Sequence, residues 1–339
     1  MELIPGLPND VGFECLIRVP YNDLPAASSV CQSWKSEIEL PPFRYHRKSS
    51  GLTRHIIIMV QLGKYSRYHL TVYEPDSGKW SKLSPVPGFT NGLPHFCKIA
   101  PVGYNLVVMG GLSPDNWSPT KFVFVYNCVS ATWLRGADMP GCTRSFFACA
   151  SDNEGKVFVA GGHDNEKNAL RSSMMYDVAD DVWTPLPDMA DERDECNGVF
   201  HHGKFYVVGG YDTAKQGQFQ KSAEAFDLST WRWGLREDDF LRNDTCPRTC
   251  VDGGDGVMYM HHDGAVVALD HDFRMRIPSD IDSAPCIIGW DRRLLAMGCD
   301  GSSGRHGVYM LDLESSTWTK EEVPKEYSGH VQSGCCLEI

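Results

Sequence analysis

Apolar and polar positions follow a plan that repeats along most of the chain. A short apolar run ends in Gly-Gly, a polar loop follows, and a second apolar run closes on an aromatic residue. A tryptophan stands seven positions further on. Residues 105–139, 156–189 and 204–233 fit this plan, with the doublets Gly110-Gly111, Gly161-Gly162 and Gly209-Gly210. The seven-residue step joins Tyr73 to Trp80, Tyr126 to Trp133, Tyr176 to Trp183 and Phe226 to Trp233, and Leu311 to Trp318 keeps the spacing without the aromatic. These tryptophans lie 53, 50, 50 and 85 residues apart, so the last interval fits two shorter units. Residues 257–278 supply the extra one, with Leu269-Asp270 in the aromatic-Asp place and Arg276 where tryptophan would stand. Six units result.

Each unit predicts four short strands. Runs such as 157–160 are apolar at successive positions, as in strands covered on both faces. The glycine doublets end the second strand, where a backbone must turn and approach its neighbour closely. Turns such as Asp76-Ser77-Gly78 separate the third and fourth strands. Regularly spaced four-stranded units predict a mainly β fold, a six-bladed β-propeller. Units two to four carry an apolar strand before the Gly-Gly strand, whereas unit one does not. The apolar stretch 330–339 follows the last tryptophan unpaired, and is expected to become the innermost strand of the first blade.

The first forty residues have a different period. In residues 7–38, Val11, Cys15, Leu16 and Val19 fall on one helical stripe, with Asn9 as the expected N-cap. Pro20-Tyr21-Asn22-Asp23 breaks the helix, Pro25 sits early in the next segment, and Val30, Trp34 and Ile38 recur at helical spacing. Three such helices are too small to bury a core alone. The expected division is a helical module at 1–42, a basic connector at 43–52, and a propeller at 53–339 closed by its C-terminal strand.

Composition narrows the function classes. The net charge of -12 and the lack of a basic run argue against a nucleic-acid partner. The longest apolar run, 56–60, is too short to span a membrane, and the N-terminus does not read as a signal peptide. Thirteen cysteines without a secretion signal read as reduced thiols of a cytoplasmic or nuclear protein. No residue set points to a metal, a cofactor or catalysis. His201-His202 and His261-His262 read as exposed hairpin histidines, Cys246 and Cys250 lack a second pair at zinc spacing, and Cys335-Cys336 reads as strand packing.

The doublets, the pairs Tyr176-Asp177 and Phe226-Asp227, and the spaced tryptophans Trp80, Trp133, Trp183, Trp233 and Trp318 resemble kelch repeats over roughly residues 51–339. Leu7-Pro8, Leu16, Pro20, Leu24 and Val30-Cys31-Gln32-Ser33-Trp34 resemble an F-box. Together they resemble the plant F-box/kelch-repeat family. That resemblance implies the substrate receptor of an SCF ubiquitin ligase, a non-catalytic subunit that docks a Skp-type adaptor, and through it a cullin, while the propeller holds a protein target. Adaptor contacts would come from Leu7, Pro8, Leu16, Val19, Pro20, Leu24, Val30 and Trp34. Phenylalanine ammonia-lyase and cytokinin-response regulators are the candidate targets it implies. The alternatives are a kelch interaction scaffold outside any ligase and a metal-dependent kelch enzyme.

In a propeller the loops after each second strand share a face with the loops between blades. Here these are 112–121, 163–172, 211–222 and 299–307, with 141–144, 190–195 and 241–248. Trp117, Arg144, His163, Arg171, Arg193, Tyr211 and Arg248 are therefore the expected target contacts, against the alternative that the arginines pair with neighbouring carboxylates.

Overall fold

The computed structural model describes residues 2–89, 91–281, 285–299 and 304–339. Six antiparallel four-stranded sheets surround an axis. From blade 1 to blade 6 the inner strands are Val331–Glu338, Lys98–Val102, Ala148–Ser151, Asn197–His201, Val251–Asp252 and Cys286–Trp290. Each touches the next, and the last touches the first, so the ring is closed. Closure comes from the C-terminal strand, which pairs with His55–Leu62 from His55 opposite Glu338 to Gln61 opposite Val331. The hydrogen bonds of Arg54 with Ile339 extend the same seam.

The seven-residue step has a direct physical meaning. It places the aromatic and the tryptophan opposite each other across a hairpin, as Tyr73/Trp80, Tyr126/Trp133, Tyr176/Trp183 and Phe226/Trp233. Their rings meet at centroid distances of 4.5 to 5.4 Å. Asp177 and Asp227 cap the intervening turn by accepting backbone N–H bonds two and three residues on. Each tryptophan also reaches the preceding blade. The indole N–H of Trp133, Trp183, Trp233, Trp318 and Trp80 donates to the carbonyl of Ser84, Ala137, Pro187, Arg276 and Glu322 respectively, at 2.7 to 3.1 Å. Four of these acceptors lie four residues beyond their own blade's tryptophan. The same offset from Arg276 puts Asp272, not Arg276, in the tryptophan place of blade 5. Arg276 itself faces Ala265. Blade 5 thus has no tryptophan reaching back to blade 4.

The glycine doublets hold positive φ in all three clear repeats. A Cβ on Gly162 would stand 2.4 Å from the Ser145 carbonyl oxygen, so the second position excludes any side chain.

The N-terminal module has four helices, α1 (Asn9–Ile17), α2 (Leu24–Ser28), α3 (Gln32–Glu39) and α4 (Pro41–Ser49). Pro8, not Asn9, holds the N-cap position of α1, and the Asn9 side chain accepts from the Leu3 N–H instead. The expected connector at 43–52 is largely helical, because Phe43 and Arg47 of α4 are buried. Arg47 donates to the Ile17, Val19 and Leu52 carbonyls, tying α1 to the propeller entrance. Leu16, Ile17, Leu24, Ile38 and Phe43 join one core with Ile56, Tyr104, Val129 and Leu337 of the propeller.

Candidate functional site

The helical module and the between-blade loops occupy opposite faces of the ring. Arg44 of α4 donates to the Asn153 carbonyl, and Ser28 of α2 reaches the Val129 carbonyl. Asn153 joins the first and second strands of blade 3, and Val129 joins the third and fourth strands of blade 2. Lys48 pairs with Glu338 at 2.6 Å. These contacts define the lower face. On the upper face the between-blade loops bond to the loops after the second strands, as His95 with Leu112, Ser145 with His163, and Asp194 with Tyr211.

The outer surface of the helical module presents apolar groups to solvent. Pro8, Val11 and Cys15 form an exposed row along α1, and Val30, 62% exposed, precedes α3. The predicted stripe is therefore split. Leu16, at its centre, is buried against the propeller-facing core, as is Leu24. These two hold the helices in place and cannot touch a partner. Pro20 is exposed, while Leu7, Val19 and Trp34 are half-buried, with the Trp34 indole donating to the Leu3 carbonyl at 2.7 Å.

On the upper face the seven expected target contacts divide in the same way. Arg193 is fully buried. Its guanidinium donates to the Gly209 and Ser222 carbonyls, to the Ser222 hydroxyl and to Glu224, itself completely enclosed. Arg144 makes the equivalent bonds to Gly161 and Ser172, but Met174 stands where blade 4 has Glu224. Burial lowers the Arg144 pKa below the ordinary arginine value. Both arginines clamp the ends of their own glycine strands, which corrects the reading that they face a target. His163 is buried against Asp194, its Nδ1 2.8 Å from the carboxylate, and buried Tyr211 donates to Glu195. Trp117 is 58% exposed and stacks on His95 at 4.5 Å. Arg171 is exposed beside Asp188, and Arg248 is exposed in a short turn before blade 5. Part of the predicted 299–307 loop, residues 300–303, lies outside the described residues.

Of the histidine pairs only His202 is exposed as expected: His201 is buried with its Nδ1 bonding Asp252, and His261 and His262 are half-buried. Cys250 is enclosed, and burial pushes its thiol up to about 12. Among the described residues no three His, Cys, Asp or Glu side chains converge as metal ligands, and no helix is long and apolar enough to cross a membrane. Sequence reasoning passed over Phe96 and Phe146, half-exposed residues whose tilted rings meet at 4.6 Å on the upper face. A signal existed, because each stands two positions before an inner strand.

A six-bladed ring with a helical module fixed to its lower face defines the class of fold: a β-propeller carrying an N-terminal helical module. The F-box domain model matches residues 4–46, and the Kelch motif model matches residues 143–190 and 192–233. The F-box/kelch-repeat proteins At1g80440 and At1g15670 of Arabidopsis thaliana are similar at 45% and 43% identity, over 100% of this chain and of each relative. The solved structure of YjhT superposes with a TM-score of 0.57 at 13% identity, covering 75% of this chain and 91% of that one, a likeness of fold. The chain belongs to the F-box/kelch-repeat family.

Proposed function

We propose that this protein is the substrate-recognition subunit of an SCF-type cullin–RING ubiquitin ligase, working in the cytoplasm or nucleus. One observation carries the reading: the F-box and the loop-bearing face sit on opposite sides of a single closed ring, joined through buried Arg47 and Phe43. A Skp-type adaptor bound to the exposed apolar row of the F-box leaves the upper face free for a target. The chain itself makes and breaks no bond. It acts by holding target lysines close to a ubiquitin-charged enzyme, raising their effective concentration.

The rigid link matters because effective concentration falls when a connector is loose or wrongly sized. Here α4 and the C-terminal strand set the distance, with Lys48–Glu338 and the Thr53–Glu338 hydrogen bond bracing the junction.

The test is co-purification with a Skp adaptor and a cullin. Val11→Glu with Val30→Glu puts charge into the proposed docking surface without touching the buried core. Adaptor capture is expected to fall about tenfold or more, as for burying an unpaired charge, while the propeller melts unchanged. Leu16→Asp is the wrong probe, since it would break the shared core. Full adaptor capture by the double variant would remove the docking assignment. A chain that binds targets but never brings down a cullin would be a scaffold outside any ligase. Affinity capture with the docking surface disabled would then reveal the targets, with phenylalanine ammonia-lyase and cytokinin-response regulators tested first.

A further inference from the structure

The upper mouth of the central channel carries two cations on an otherwise acidic chain. Lys98 opens the inner strand of blade 2, and Arg248 stands in the turn Pro247–Thr249 before the inner strand of blade 5. Blades 2 and 5 are opposite in a ring of six. Lys98 acts electrostatically on Cys149 and Cys196, at the tops of blades 3 and 4. Arg248 acts on Cys286 and His330, at the tops of blades 6 and 1. The two cations therefore stand on opposite sides of the mouth. Neither side chain has an ion pair or hydrogen bond among the described residues. Asp252 and Asp291 lie at the lower ends of their blades' inner strands. Glu195, near the upper end of blade 4, is engaged by the Tyr211 hydroxyl.

Gln332 adds an independent observation. In the inner strand of blade 1, Val331 faces Gln61 and Ser333 faces Val60, so Gln332 is the extra residue of a β-bulge. Bulges redirect side chains. Both polar atoms of its amide are shielded from solvent, and neither has a hydrogen-bond partner. An amide left that way lacks a donor and an acceptor, which an extended peptide backbone would supply once the side chain turns into the channel. On the same upper face, Phe96 and Phe146 hold φ of 59° and 55°, a left-handed conformation that costs a bulky residue energy. Both stay half-exposed with their rings in contact.

We propose that this mouth anchors an acidic side chain of an extended target segment. Lys98 and Arg248 take the carboxylate, the Gln332 amide bonds the adjoining backbone, and Phe96 and Phe146 receive a neighbouring apolar residue. The inference rests on the upper face being the target face, and it names what the target must offer.

The experiment measures fluorescence anisotropy of the full chain bound to its adaptor. The probes are a labelled peptide of alternating Phe and Asp and its counterpart with Asn for Asp. The acidic peptide is expected to bind about tenfold or more tighter, with that advantage shrinking as salt rises from about 50 to about 500 mM. Lys98→Met and Arg248→Met should each remove most of the advantage, and Gln332→Leu should weaken both peptides. Arg248 is exposed in a turn, so its variant keeps the test open if Lys98→Met fails to fold. Equal affinities for the two peptides, no binding of the acidic one, or variants that fold and bind as wild type would overturn the proposal. Inorganic phosphate displacing the acidic peptide as well as unlabelled peptide does would also overturn it, in favour of a free-anion site. Adaptor capture, measured alongside, separates failure here from failure of the ligase reading.

Discussion

Deleting residues 328–339 will abolish cooperative melting and drive the protein into aggregates. Those residues supply the whole inner strand of blade 1, hydrogen-bonded along His55–Leu62. Without them that neighbouring strand, apolar and buried over most of its length, becomes an open edge facing the channel. The ring would also lose contact on both sides, because the same strand packs against the inner strands of blades 2 and 6. A further loss falls on the F-box junction, where Glu338 pairs with Lys48 and Leu337 shares a core with Leu16 and Phe43. The measurement is calorimetry with light scattering. A soluble truncation with an unchanged midpoint would mean that the ring closes without this strand.

The second large effect is expected at Arg193. Arg193→Met strands Glu224, completely buried, with only the Ala190 and Asp191 N–H groups to meet its charge. Breaking a buried pair from one side costs about 3–5 kcal/mol. At about 2 °C per kcal/mol for a large domain, the midpoint should drop by roughly 6–10 °C. Arg144→Met should be milder, about 1–3 kcal/mol, since it unpairs carbonyls without stranding a carboxylate. Arg193→Met combined with Glu224→Met should recover much of the loss, because replacing both charges by apolar groups removes the desolvation penalty. Equal midpoints for wild type and Arg193→Met would refute the clamp, and the arginine would return to being a surface group.

What the sequence made legible was whatever is set by short-range spacing. The aromatic-to-tryptophan step is fixed by one hairpin turn, so five blades could be counted from five tryptophans. Blade 5 was countable but not registrable. Its tryptophan place is marked only by the carbonyl that the next blade's tryptophan bonds, a contact between Trp318 and Arg276 at 42 residues' separation. The binding residues failed for a related reason. An arginine at the same offset in successive units fits a ligand cluster and a structural clamp equally well. What decides is whether Gly209 and Ser222 close around it, and that is a property of packing. Leu16 and Leu24 were misassigned because a helical stripe does not say which of two surfaces covers it. Gln332 was invisible, since a bulge appears only once two distant strands are paired.

The tryptophan bonds bolt five of the six blade junctions at the rim, and the junction between blades 4 and 5 goes without. It is held near the axis, where Asn197 donates to the Cys250 carbonyl and His201 bonds Asp252, and by a core that packs Val208 and Ala223 with Ala265 and Val267. Blade 5, with an inner strand of only two residues and an outer one of three, is thus bolted at the rim to blade 6 alone. Its amides at Ala265–Ala268 should exchange with deuterium ahead of those in the third strands of the other blades. Arg248 stands in the linker at that seam, so a loosening there would be felt at the channel mouth without opening the circle.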